Sequence, residues 1–447
     1  MRVKLPSAII EICRTLSEAG FQAYVVGGAL RDALLGLTPH DWDITTDALP
    51  DEVEALFPKT IPTGKEFGTI TVLYEGQPVE LTTMRQEGRY SDKRRPDMVV
   101  FTKDIILDLA RRDFTVNAMA YNPITEKFVD PFKGRLHLKI RRLVCVGDPK
   151  ERFSEDPLRM LRLIRFQAVL GFKVAKKTAR GITPRLIKVV SAERIGQELA
   201  KLLLGDHLVP AFELFFTSGL LAEVIPELAA CAGVNQGEQH SYDVLGHSIL
   251  ACQRIPPELH LRWAALLHDI GKPATKAENG RVRFHGHDQL GAEMTEHILR
   301  RLRFSSELVQ RVSHLVRFHM YPMGPHMTDK AIRHMIAKVG RAHIFDLIAL
   351  RQADISAMYV NPVQAVRFLT ELRSRVQEVL DAETALTVQD LAVNGHDIMM
   401  ELGMGPGPKV GQLLEQLLEV VIDDPSQNNR SALLAAAQRF FSADHKP

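Results

Sequence analysis

Two aspartates one residue apart, Asp41 and Asp43 in the run DWDITTD, are the first side chains along the chain whose spacing could do chemistry. On a β-strand, residues two apart project to one face, so the carboxylates can converge while Trp42 points the other way. Like charges held that close favour a divalent cation. Magnesium suits them, because it is hard, takes few protein carboxylates and fills its shell with water and phosphate oxygens. Just upstream, YVVGGALRD reads as a strand running into Gly27 and Gly28 and then a helix. Bare backbone amides at a helix N-terminus would face an anion, and Arg31 one turn in offers a fork for phosphate oxygens. Taken singly, the glycine pair also fits a tight turn, Asp32 a salt-bridge partner of Arg31, and the aspartates a solvated strand. In combination they favour a phosphate-plus-metal site.

These residues need elements to hold them. From Phe21 to about Arg142, β-rich pieces (AYVVGG, DWDITT, GTITVLY, PVELTTM) alternate with helical pieces such as Pro50–Phe57 and Asp104–Leu109, which predicts a mixed α/β unit. After Pro149 the apolar residues recur at three- and four-residue steps and the pattern is almost wholly helical. A break at Cys231–Glu238 opens a histidine-rich helical region running to about Val360, followed by a last helical stretch. The predicted division is therefore 1–145, 146–230, 231–360 and 361–447. The fold class is α+β, a mixed sheet with helices, followed by all-α regions.

With 447 residues, 45% apolar and 25% charged, the composition is that of a globular chain of about three domains. A net charge of +2 leaves any cationic surface to local clustering. Such clustering exists: Arg85–Arg112 holds eight basic residues against five acids, and Lys133–Arg165 ten against four. Positive charge thus gathers in two stretches that could hold a polyanion. The four cysteines lack metal-site spacing and point to a reducing cytoplasm. The opening MRVKLPSAIIEICRTL is broken by Glu11 and Arg14 and reads as an amphipathic helix, and no apolar run reaches membrane-spanning length, so no membrane partner is expected. Oligomeric state is not legible.

GGALRD and DWD resemble the first motif of the nucleotidyltransferase head of the DNA polymerase beta superfamily, in particular bacterial CCA-adding enzymes and their relative poly(A) polymerase. Further motifs follow in the family's order: EGRYSDKRRPD resembles its flexible loop, ARRDFTVNAMA its ribose-sensing motif and EDPLRMLRLIRF its base-reading helix. The C-terminal NGHDIMMELGMGPGPKVGQLLEQLLEVV is similar to the tail of such enzymes. The four segments then become head, neck, histidine-rich domain and RNA-binding tail. The resemblance implies that Arg112 and Asp113 sense the ribose. It also implies that Asp156 and Arg159, with Arg162 and Arg165 at three-residue steps, read the base. A carboxylate accepting from an exocyclic amine and a guanidinium donating to a ring nitrogen would admit CTP and ATP, and would face a carbonyl in UTP and GTP. An ion pair within one helix is the plainer account of Asp156 and Arg159. Glu80, alternating with Val79 and Leu81, is a candidate third carboxylate. Transfer would be attack of the RNA 3′-hydroxyl on the α-phosphorus with two magnesium ions on Asp41 and Asp43.

His247, His268-Asp269 in LLHDIGK and Asp354 in RQADIS resemble the metal set of an HD phosphohydrolase domain, with His287 a candidate ligand of a second metal and Lys272 a candidate phosphate contact. Imidazole and carboxylate donors suit nickel, manganese or iron better than magnesium alone. An HD dipeptide by itself means little, since His40-Asp41, His287-Asp288 and His396-Asp397 also occur. The expected function is template-independent addition of CCA to tRNA from CTP and ATP, with phosphohydrolase action on RNA ends or nucleotides as a second activity of the HD domain. The alternatives are A addition, CC addition, poly(A) synthesis, or an RNA-binding regulator in which only the HD site works. The loop Glu87–Asp97 disfavours a CC-only enzyme, since such members tend to lack it.

Overall fold

The apolar run at 23–26 is buried throughout and forms β1 (Ala23–Val26), the strand on which the candidate site is hung. In the computed structural model, which describes residues 3–39, 41–87, 99–237, 242–278, 282–358, 363–382 and 385–443, β1 is preceded by helix α1 (Ser7–Glu18). It belongs to a seven-stranded sheet with β2 (Asp43–Thr46), β3 (Thr60–Gly64), β4 (Thr69–Tyr74), β5 (Gln77–Thr83), β6 (Ala120–Tyr121) and β7 (Phe128–Val129), in the order β3-β4-β5-β2-β1-β6-β7. β2 runs parallel to β5 and antiparallel to β1, with Asp43 opposite both Val26 and Glu80. Tyr24, Val26, Met84, Leu109 and Ala120 close an apolar cluster in this region.

Helix α2 (Gly27–Leu34) leaves directly from the end of β1, and α3 (Ile105–Ala110) starts on the Asp104 side chain, which accepts from the Ile106 N–H. Then come α4 (Pro149–Glu155), α5 (Leu158–Leu170) and α6 (Ala192–Leu203), with α6 packed on α5. Strands do not stop at Pro149 as the sequence pattern implies. Lys173–Val174 pairs with Arg142–Leu143, and Ala277–Glu278 with Val282–Arg283, each a two-residue ladder in a helical setting.

The chain divides into two units, Met1–Ala229 with Arg301–Arg303 and Ala230–Arg300 with Phe304–Pro447. In the second, α7 (Val244–Arg254) packs on α8 (Leu259–Leu267), and α9 (His287–Arg301), α10 (Ser306–Phe318) and α11 (Ile344–Ala357) follow, with α11 against both α7 and α8. The terminal helices α12 (Val363–Asp381), α13 (Gly395–Leu402), α14 (Pro408–Asp423) and α15 (Arg430–Ala443) include a separate apolar cluster around Ile398, Leu417, Val421 and Leu433. His396-Asp397 serves α13 locally: Asp397 accepts from the Asn394 N–H at 2.9 Å and Asn394 caps the helix in return. Among the described residues, no helix is long and apolar enough to cross a membrane.

Candidate active site and a buried histidine–aspartate cluster

The junction of β1 and α2 sits against β2, and that register decides the local chemistry. Gly27 has φ +72°, and a Cβ there would lie 2.9 Å from Asp43 Oδ2 and 3.2 Å from an Arg112 nitrogen, so only glycine lets the helix start beside the carboxylate. Asp41, Asp43 and Glu80 line one cavity of about 400 Å³. Asp41 is not on the strand, as alternation expects. It lies in the bend before β2, although the Trp42 carbonyl still accepts from the Glu80 N–H at 3.3 Å. Trp42 lines the same cavity rather than pointing away, because strict alternation does not extend past the strand end. Burial pushes the Asp43 carboxyl up to about 6. Arg112 opposes that, while Glu80 and Asp41 add to it. Three hard oxygen donors lining one space, with Asp43 held protonated by burial and its acidic neighbours, fit a divalent cation, which would offset both.

A second cavity of about 540 Å³ meets the first at Gly28 and Asp43 and is lined by eight arginines against three aspartates. Arg31 is buried. It pairs with Asp32 at 2.8 and 2.9 Å, as one of the plainer accounts has it, and donates to Asn117 Oδ1 at 2.7 Å while still lining the cavity. Arg111 and Arg112 are both held by Asp108, at 2.8 and 3.4 Å. Burial alone would raise that carboxyl, but the two guanidiniums keep it below its ordinary value. Among the described residues, Arg112 Nε is buried with no hydrogen-bond partner, in the wall of this cavity. Asp113 accepts from Arg162 at 2.6 and 2.8 Å, from Asn117 at 3.1 Å and from its neighbour's N–H. Against the cost of burial, these partners, led by Arg162, bring it down to about 2.

Asp156 and Arg159 line the same cavity but do not form a pair within one helix. Pro157 bars helical geometry at the residue before it, so Asp156 falls in the break between α4 and α5. Its carboxylate instead accepts from Arg194 at 3.1 Å, while Arg159 binds Glu155 at 2.8 Å and the Arg111 carbonyl at 2.9 Å. Arg165 binds Glu198 at 2.7 Å, and its guanidinium lies 4.0 Å from the centre of the Phe166 ring. Arg194 and Glu198 lie outside the quoted motifs, while Arg111, Asn117 and Phe166 lie inside them at positions to which spacing assigns no role. Glu198 carried a usable signal, since it falls three residues after Ile195 and four before Leu202, a charge set in the apolar stripe of α6. The loop Glu87–Asp97 lies outside the described residues apart from Glu87 itself.

In the second unit, α7, α8 and α11 bring His247, His268 and Asp354 within reach of one centre, and Asp269, His287 and His319 form an adjoining one. His247 Nε2 lies 3.0 Å from Asp354 and His268 Nε2 3.1 Å from Asp269. His287 and His319 Nε2 are 3.5 and 3.6 Å from the other oxygen of Asp269. The Nδ1 atoms of His268, His287 and His319 each face a backbone carbonyl three residues back, at 2.6–2.9 Å, and this contact assigns the proton to Nδ1. His287 and His319 then turn a lone pair to the centre, while, against the effect of burial, Asp269 favours a second proton on His268. The 3.2 Å approach of His287 Nε2 to His319 Nε2 sets two acceptors face to face, an arrangement that a cation between them would reconcile. Gly271 permits this packing, because a Cβ there would lie 2.4 Å from the His287 carbonyl. Lys272 is committed to Asp269 at 2.6 Å and to Gln236 at 2.7 Å. No spacing in the sequence marks His319, at the end of α10.

A family profile described as "Poly A polymerase head domain" matches residues 23–144, an "HD domain" profile matches 237–358, and "Probable RNA and SrmB- binding site of polymerase A" matches 171–231. The CCA-adding enzyme of Lactobacillus helveticus is 32% identical over 438 residues, covering 96% of this chain and 97% of the relative. That of Anoxybacillus flavithermus is 32% identical over 429 residues, covering 95% and 94%. A crystal structure of the Bacillus stearothermophilus CCA-adding enzyme in complex with CTP superposes with a TM-score of 0.76 at 27% identity, covering 98% of both chains.

Proposed function

The chain belongs to the family of CCA-adding enzymes, and from that premise we propose that it completes tRNA 3′ ends with CCA, using CTP and ATP and no nucleic-acid template. The observation that carries this reading is the meeting of an arginine-lined cavity and a three-carboxylate cavity at Gly28 and Asp43. The α2 N-terminus with Arg31 and Arg112 binds the triphosphate, and Arg112 with Asp113 faces the ribose. Asp156, Arg159, Arg162 and Arg165 read the base edge. Arg194 and Glu198 fix the orientation of Asp156 and Arg165, so the template for the base is protein rather than nucleic acid. Asp41, Asp43 and Glu80 would hold divalent cations, for which we assign magnesium, and bound there these would supply activation of the RNA 3′-hydroxyl and neutralisation of departing pyrophosphate. The four parts 1–145, 146–230, 231–360 and 361–447 act as head, neck, HD domain and tail. The neck and tail hold tRNA by backbone charge and A-form shape. All four cysteines are buried thiols, in keeping with a reducing cytoplasm.

The test is incubation with tRNA transcripts ending before CCA, after C and after CC, with labelled CTP and ATP given separately and together. Addition of C, C and A in turn supports the reading. Addition of A only to the CC-ending transcript reduces it to A addition, and long A tails on unrelated RNA make it a polymerase.

For the HD domain the reading is a resident transition metal on His247, His268, Asp269 and Asp354, with His287 and His319 as donors to a second ion. Phosphohydrolase action on RNA ends would follow. Hydrolysis of a 2′,3′-cyclic phosphate with nickel, lost in His268→Ala, tests it; absence of metal-dependent turnover leaves the cluster structural.

A further inference from the structure

The cavity of the three carboxylates has a second character that the metal does not use. Pro39, Trp42 and Pro78 form part of its wall beside Asp32, Asp41 and Glu80, and among the described residues no lysine or arginine lines it. It shares only Gly28 and Asp43 with the arginine-lined cavity. Resting on the function proposed above, we propose that this cavity receives the 3′-terminal nucleotide of the acceptor RNA, and that Trp42 is its positioning residue, stacking on the terminal base.

Three arguments converge on it. Among the described residues the wall offers no cationic side chain to a phosphate, so what the protein itself can hold there is the ribose edge and the face of a base. Displacement at phosphorus is in line, with the attacking hydroxyl opposite the leaving pyrophosphate. A triphosphate among the arginines therefore needs its hydroxyl delivered from another space, and the two cavities meet at Asp43. Finally, the acceptor's last base changes with each addition, so hydrogen bonds to its edge would favour one step over the next. An aromatic face accepts every base, because every base has a π surface. Trp42, half-buried in a proline-flanked wall, offers such a face.

The chain has two tryptophans, and Trp263 is 0% exposed in the core of the second unit, so a change in emission on RNA binding reports Trp42. In the full-length protein, an acceptor-stem RNA ending in CC should quench tryptophan emission. The same RNA with an abasic 3′-terminal nucleotide should not, and Trp42→Phe should abolish the quench. Trp42→Leu should raise KM for RNA about tenfold while KM for CTP and kcat stay within about twofold, and Trp42→Phe should restore KM. A quench that persists with the abasic end, or an RNA KM unchanged in Trp42→Leu while the wild type adds CCA, overturns the assignment of Trp42 alone. A wild type that adds no nucleotide overturns it together with the function it rests on. Should Trp42→Leu fail to fold, the abasic comparison on the wild type decides.

Discussion

The head carboxylates and the histidine–aspartate cluster are both donor sets for divalent ions, yet they are built in opposite ways. Asp41 and Glu80 are exposed, and Asp43 is raised toward about 6 because burial, with its acidic neighbours, outweighs Arg112. His247, His268 and Asp269 are 1–2% exposed. Against burial, Asp269 is held well below its ordinary value by His268 and Lys272, and Asp354 is likewise lowered by its histidine partners. The head site is open and electrostatically unfinished, suited to an ion that arrives with a nucleotide. The cluster is closed, with its donor atoms already oriented, suited to an ion that stays.

The sharpest way to break that contrast is Asp43→Ala, which should lower nucleotide incorporation by on the order of 10³-fold while metal bound to the HD cluster, measured by elemental analysis, is unchanged. Next in size, Asp156→Asn should erode discrimination against UTP by roughly ten- to a hundredfold, measured as the ratio of kcat/KM for CTP and UTP. An amide can turn a donor toward a carbonyl that a carboxylate repels.

The pH response also separates two carboxylates within the head, Asp43 and Asp113. The folded Asp43 carboxyl holds its proton above the ordinary value of 3.8, so its contribution to metal-free stability is present below that value and lost as pH rises through about 6. Metal binding runs in the opposite sense and must displace the proton. Incorporation should therefore fall up to about tenfold per unit below pH 6, and added magnesium should shift the midpoint to lower pH. Asp113 behaves conversely, its contribution to stability being lost only as pH falls from 3.8 through about 2. The smallest expected effect is that of His268→Ala on CCA addition, within about twofold, in a protein that has lost its retained transition metal.

Local spacing made much of this legible. Gly28 with Arg31 and the arginines of α5 sit a few residues apart on one junction or one helix, so near-neighbour spacing is enough to group them. Glu80 could be named but not placed until the parallel register of β2 and β5 set it opposite Asp43. Periodicity failed at the ends of elements. Asp41 and Trp42 precede their strand and Asp156 precedes its helix, and there alternation and helical phase no longer fix where a side chain points.

The amino-acid order thus determined the sheet-bearing head, the helical remainder, the motif residues and the family, because each is written in near-neighbour spacing that the backbone must obey. Only the tertiary structure decided the partners brought in from afar. Arg194 reaches Asp156 across 38 residues, Glu198 reaches Arg165 across 33, and His319 joins His287 across 32. Such pairs are chosen by which surfaces can be buried together, a property of the packed chain that no single segment carries.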